Sequence, residues 1–390
     1  MQRLLIVAPF PPEGGGGGGV ILRSLLNNYP APFLSWFTLS PDKTCAERSW
    51  RNDIRNGGFN WRVPGRRFKP VRQIGRLGLD RAEAILAGRA AAKYALRLQP
   101  DLCWFIVTFW SLPAFRIVRD SIPCGYHLSV HDDPLVAVTL EGRKPDPEDE
   151  RIFSTIIGGA RSVDCISERL RQRYLTRYQK DSLVVTRGFE RQANANPLRS
   201  TLEKNLPIRI VLAGWGDCPA PWPDDFLTAI RLGREEYDLQ VVSFDPLMGG
   251  GLPYVQHPPR LEQTEFDKYL QGLDIGYACD PLTAAGREFA ATSFSTKVVT
   301  YIGNGLPFVY HGPVDSVIGD LVQNYKCGVV VEAHEPARIL SAFKTVISDY
   351  RNLQQECFRA RNELFDADRV RAGLFDYMAH CGAAACPANS

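Results

Sequence analysis

The string SVHDDP at residues 129–134 sets an imidazole and two carboxylates, His131, Asp132 and Asp133, side by side at the end of an apolar run. Strand alternation sends neighbouring side chains to opposite faces, and Pro134 turns the chain. The three groups therefore stand at a strand's carboxyl end, where open α/β sheets bind ligands. A carboxylate or imidazole there can take the proton of a hydroxyl nucleophile, with Asp132 the preferred base; the plainer alternative is that they satisfy a strand-end turn. A second constellation is SFSTKVVTYIGNGLP at residues 293–307. Ser293, Ser295 and Thr296 can cap a helix whose first-turn amides, with the compact charge of Lys297 beside them, suit a diphosphate. The alternative is a solvated lysine on an ordinary capped helix. The third is the tract Gly14 to Gly19, with Gly14, Gly15, Gly16 and Gly17 offering unobstructed backbone N–H groups to a phosphate or a sugar. A run of glycines satisfies the dinucleotide fingerprint trivially, so that match carries no information, and a mobile surface loop is the competing reading.

Elements of two kinds must position these groups. Short β-rich apolar runs alternate with longer amphipathic stretches through both halves, the pattern of βα units and parallel sheets. In the front half the strands are LLIVAPF, FLSWFTL, DLCWFIVTF, CGYHLSVHD and SVDCISE, with helices near residues 20–29, 80–98, 150–159 and 167–178. In the back half they are RIVLAGW, LQVVSFD, a short strand near Val255, IGYACDP, LPFVYHG and CGVVVE, with helices near 224–236, 263–272, 295–304, 314–324 and 335–349. The polar stretch 189–207 lacks either period and reads as a linker. His127, inside an apolar strand, reads as a core histidine, and Arg187 and Glu190 either reach the functional cleft or serve the hinge.

At 390 residues and 45% hydrophobic content the chain supports two cores, and no apolar run approaches the length that crosses a bilayer. Cys103, Cys124, Cys165 and Cys279 lie in strand-like runs, and no Cys/His cluster has zinc spacing, which points to reduced structural thiols in a cytoplasmic protein. The net charge of +3 hides an asymmetry: residues 1–190 carry 28 basic against 19 acidic groups, the remainder 18 against 24. Residues 48–97 hold 13 basic groups and three acidic ones, so this segment prefers an anionic partner such as a membrane surface. No aromatic-and-basic interleaving of the kind that binds nucleic acid is present.

Three stretches taken in order resemble the GT-B glycosyltransferases: LLIVAPFPPEGGGGGGVILRSLL, then PDLCWFIVTFW with GYHLSVHDDP and SVDCISERLRQRYLTRY, then FSTKVVTYIGNGLPFVYHG. The likeness is strongest to the family-4-like group marked by a Glu-x7-Glu signature. It spans nearly the whole chain and rests on order and spacing. It implies an α/β chain of two doubly wound Rossmann-like domains facing across a cleft. Residues 1–190 would bind the acceptor, 191–207 would link, and 208–350 would bind the nucleotide-sugar donor. Residues 351–378 would form a helix packing back on the first domain, ahead of a disordered tail at 379–390.

The resemblance further implies transfer of a sugar from a nucleotide-diphosphate donor, UDP-sugar being favoured, to a glycan or lipid-linked acceptor in a bacterial polysaccharide or glycoconjugate pathway. No cofactor beyond the co-substrate, and no metal, is implied. Lys297 would meet the donor phosphates, and Gly214 and Gly216, after the donor domain's first strand, would let the donor approach the backbone. The two signature glutamates fall at Thr292 and Thr300, so both carboxylates are replaced, while Arg287 and Glu288 stand near enough to contribute. The threonines keep open a catalytically inactive binding or assembly subunit, and the stereochemical outcome of transfer stays open.

Overall fold

Strands made of unbroken apolar runs are buried on both faces, and a parallel sheet covered by its crossover helices is the arrangement that buries them. The computed structural model describes residues 2–13, 16–39, 51, 53–59, 76–190, 202, 207–213, 222–245, 248–259 and 261–383. It divides into two units, Met1–Val185 with Arg371–Ser390, and Thr186–Val370.

The first unit carries a parallel sheet of β1 (Leu4–Ala8), β2 (Leu34–Thr38), β3 (Arg55–Gly58), β4 (Leu102–Ile106), β5 (Tyr126–Val130), β6 (Ser162–Cys165) and β7 (Leu183–Val184). Among the described residues the order is β3-β2-β1-β4-β5-β6-β7. β1 therefore has β2 on one side and β4 on the other, with Ile6 opposite both Trp36 and Trp104. Every residue of β1, β4 and β5 is buried. The helix Arg76–Leu98 approaches Leu112–Ser121 closely because Gly88 has no side chain: a Cβ there would lie 2.7 Å from the Cα of Ala114.

The second unit repeats the plan with β8 (Ile208–Leu212), β9 (Leu239–Ser243), β10 (Val255–Gln256), β11 (Ile275–Cys279), β12 (Phe308–His311) and β13 (Gly328–Val331), in the order β10-β9-β8-β11-β12-β13. One face packs Phe226 flat on Tyr277, ring centroids 4.1 Å apart, with Phe343 beside them.

Three expectations are corrected. The first unit ends at Val185 rather than at residue 190, because the chain from Thr186 is tied into the second unit. There Phe189 exchanges backbone bonds with Phe365 (2.7 Å) and Ala367 (3.1 Å), and Gly188 lies so close to Ala367 that a Cβ would meet its Cα at 2.5 Å. The single helix expected over 351–378 is two, Tyr350–Leu364 and Ala367–Ala383, interrupted where Phe365 and Asp366 pair with Phe189. The last helix also runs five residues past 378, so residues 379–383 are helical rather than part of a disordered tail. From Arg371 onward it packs within the first unit: Arg371 Nη1 donates to Ser24 O (3.3 Å), and Phe375 sits 5.5 Å from the Tyr29 ring and edge-on to Trp104.

Candidate functional site

In the first unit β1 is where the strand order reverses, so a ligand is expected beyond the carboxyl ends of β1 and its neighbours. The glycine tract emerges there. Gly14 and Gly15 lie outside the described residues, but Gly16, at φ +48°, opens the helix Gly16–Leu26, so the rest of the tract is the helix's first turn rather than a loop. Trp36 Nε1 holds the entering chain by donating to Phe10 O at 3.0 Å. The consequence falls at Gly18. A Cβ on Gly18 would stand 2.7 Å from Nδ1 of His131, so the imidazole lies against the helix's first-turn backbone only because position 18 has no side chain.

His131 and Asp132 follow β5 directly and are both half-buried. Burial lowers the His131 pKa, and the nearby Asp164 carboxylate opposes the shift. Asp133 has a different task. It is the N-cap of the helix Pro134–Leu140, accepting from the amides of Leu135 (2.9 Å) and Val136 (3.4 Å), with Arg173 at 4.0 Å. It is almost wholly buried, which raises its carboxyl above the usual carboxylate range. Of the three expected catalytic groups, Asp133 caps the helix that follows the strand-end turn, while His131 and Asp132 are half-buried.

Beneath them lies a buried polar cluster joining β4, β5 and β6. Trp104 Nε1 donates to Ser129 Oγ at 2.6 Å, Ser129 donates to Asp164, and His127 bridges Asp164 Oδ2 (2.7 Å) and Ser162 Oγ (2.8 Å). His127 is a satisfied core histidine, as its apolar setting in the sequence suggests.

In the second unit the helix Thr296–Gly303 begins beside the sheet's carboxyl edge. Ser295 stands at its N-cap but makes no side-chain capping bond, contrary to the capping role expected of it. Ser293, Thr296 and Lys297 are half-buried in the same turn. Lys297's charge is felt by Asp280, the residue directly after β11. Asp280 donates its N–H to His311 O (3.0 Å) and accepts from Tyr310 Oη (2.7 Å). Burial pushes its carboxyl up to about 6, against the opposing pull of the Tyr310 hydroxyl and of Lys297. Asp280 is the group that reading the sequence missed; its signal, an acid at the end of IGYACDP, had the same form as the one noted at SVHDDP.

The signature positions are internal. Thr292 and Thr300 are buried, and the Thr300 hydroxyl donates to Thr296 O (2.7 Å) and accepts from Arg187 Nη1 (2.9 Å). Arg187 also pairs with Asp267 at 2.5 Å and lies 4.2 Å over the Phe189 ring. It therefore anchors the start of the second unit. Arg287 is exposed and paired with Glu332 at 2.6 Å, and Glu288 is exposed on the same short helix, Ala284–Ala290. Gly214 and Gly216 lie outside the described residues. Among the described residues no three His, Cys, Asp or Glu side chains gather as metal ligands would.

No protein-family model matches the chain, and no curated protein matches it in sequence. Solved structures do. Sucrose-phosphate synthase from Thermosynechococcus elongatus superposes with a TM-score of 0.68 at 13% identity, covering 98% of this chain and 100% of its own. Anabaena HepE in complex with UDP gives 0.66 at 13%, covering 97% and 100%, and a trehalose-6-phosphate structure from E. coli bound with UDP-2-fluoro glucose gives 0.64 at 12%, covering 96% and 98%. All are glycosyltransferases of one architecture. The chain has the GT-B fold. That assignment agrees with the two parallel sheets and accounts for their duplicated strand order; at this level of identity it is the GT-B fold that is shared.

Proposed function

We propose that this protein is a glycosyltransferase that takes its sugar from a nucleoside-diphosphate donor, a UDP-sugar first among them. The observation that carries the reading is the turn Ser293 to Lys297, which brings a half-buried lysine and a helix N-terminus together at the carboxyl edge of the second sheet. Amides and a cation placed there stabilise the charge that develops on a departing diphosphate. The UDP held by HepE and the UDP-2-fluoro glucose held by the E. coli protein support a uridine donor. In the first unit, Asp132 takes the acceptor hydroxyl's proton if transfer inverts the anomeric centre and orients the acceptor if it retains it. His131, against the bare backbone at Gly18, binds a sugar hydroxyl.

The acceptor we favour is a glycan or lipid-linked glycan at a cytoplasmic membrane face, in a bacterial polysaccharide or glycoconjugate pathway. The exposed face of the helix Arg76–Leu98 supports it, with Arg89, Lys93 and Arg97 at four-residue spacing and Leu96 half exposed beside them. Most of the remaining basic groups of residues 48–75 lie outside the described residues, and no described helix is long and apolar enough to cross a membrane.

A second reading, a binding or assembly subunit without catalysis, is favoured by one observation: Thr300, where the resemblance places a ribose-holding glutamate, is turned inward onto Arg187. Titration calorimetry with UDP tests the donor site. Wild type should bind, and Lys297→Ala should weaken binding by about 1.5–3 kcal/mol, the range for a hydrogen bond to a charged group. Equal affinity in a folded variant would remove Lys297 from the site.

A further inference from the structure

All seven described cysteines are free thiols, yet two of them stand apart. Cys103 is the second residue of β4 and Cys124 lies just ahead of β5, and the strands are drawn together there by the Cys103 N–H to Gly125 O bond of 3.2 Å. Their sulfurs are 3.8 Å apart. A disulfide needs about 2.05 Å, so the two sulfurs must draw together by roughly 1.8 Å to bond. Cys103 is fully buried, whereas Cys124 is half-buried next to exposed Pro123 and is the sulfur a small molecule reaches. The other close pair differs: Cys327 and Cys357 are both fully buried, and Cys357 spends its S–H on the Cys327 carbonyl at 3.3 Å.

We propose that Cys103 and Cys124 form a reversible thiol–disulfide site whose oxidant is a low-molecular-weight disulfide. The Cys124 thiolate attacks one sulfur of the oxidant, forming a mixed disulfide and expelling one thiolate. Cys103 then gives up its proton to water and attacks the Cys124 sulfur, expelling the second thiolate. The protein loses two electrons and two protons, and the oxidant becomes two thiols. The order of attack follows from access and from the shared hydrogen bond, which holds the Cys124 thiol below its ordinary value while the same contact and burial push Cys103 up. Both residues sit at the amino ends of their strands, away from His131 and the glycine turn at the carboxyl ends. The bond closes the loop that contains the helix Leu112–Ser121, so it restricts the unfolded chain and raises the unfolding midpoint without altering ligand binding.

The test is incubation of the full chain with glutathione disulfide under native conditions, followed by alkylation and peptide mapping. The expected product is a Cys103–Cys124 crosslink that retains no glutathione, melts at higher temperature and is reversed by dithiothreitol. Cys103→Ser should trap glutathione on Cys124, and Cys124→Ser should leave Cys103 unmodified. Glutathione persisting on wild-type Cys124 without the crosslink, or both thiols still open to alkylation once the protein is unfolded, would overturn the proposal.

Discussion

Gly18 and His131 are in contact through the absence of a side chain: a Cβ on Gly18 would fall 2.7 Å from the imidazole Nδ1. No ordinary side chain tolerates that approach, so alanine at 18 must push the His131 ring aside. Alanine is also the better helix former by about 0.5–1 kcal/mol, which offsets part of the strain. Gly18→Ala should therefore change the unfolding free energy in urea by less than about 1 kcal/mol while lowering turnover on the order of 10²-fold, the effect of misplacing a group that contacts substrate. Full turnover in the variant would show that His131 takes no part.

Asp132 and Asp133 should separate cleanly. Asp132→Asn should lower turnover by roughly 10²–10⁴-fold with donor affinity unchanged, as loss of a general base does. Asp133→Ala removes a helix cap and should instead lose about 0.5–2 kcal/mol of stability with little change in turnover of the folded fraction. Steady-state kinetics beside urea unfolding reads both, and the reverse pattern would move the base to Asp133.

How far the sequence revealed this site depended on how local each signal was. The turn Ser293 to Lys297 and the string SVHDDP could be read directly because strand end, cap residues and charge are contiguous there. The role of Asp133 was hidden because a capping acid and a catalytic acid look alike until the following helix is known. Strand β3, RNGG, carries no apolar alternation and is held by its register against β2, so no periodic signal marks it. The helix Leu112–Ser121 follows strand β4 across an apolar stretch broken only by Thr108 and Ser111, which blurs its period. The break at Phe365 and Asp366 has neither glycine nor proline; it is imposed by pairing with Phe189, more than 170 positions away, and by Asp366 accepting from Arg369 N at 2.9 Å. Long-range contacts of this kind leave no local trace; the return of the last helix to the first unit was expected from the family resemblance alone, not from any local signal.

Two buried groups of the second unit should act oppositely on stability between about pH 4 and 6.5. Asp280, raised to about 6, binds its proton more tightly when folded, so its contribution is present below the unfolded value near 4 and is lost as pH rises through 6. His311, lowered to about 4 chiefly by burial, is held neutral, so its contribution is present above about 6.5 and is lost as pH falls. Urea unfolding from pH 4 to 7 should show Asp280→Asn gaining stability relative to wild type as pH rises, on the order of 2–3 kcal/mol for a shift of about two units. His311→Gln should lose stability relative to wild type over the same range. Curves parallel to wild type would mean that neither group titrates from a buried state.

A glycosyltransferase must turn over a nucleotide-sugar. Turnover is read by measuring nucleoside diphosphate released by the full chain from a panel of UDP-, GDP-, ADP- and dTDP-sugars, first with water and then with lipid-linked and free glycan acceptors. Release should be slow and confined to one donor class, UDP-sugars favoured; an acceptor should accelerate it, and Asp132→Asn should lose that acceleration. Binding of a donor with no release from any of them, under any acceptor, would rule out catalysis and leave the protein a GT-B binding subunit.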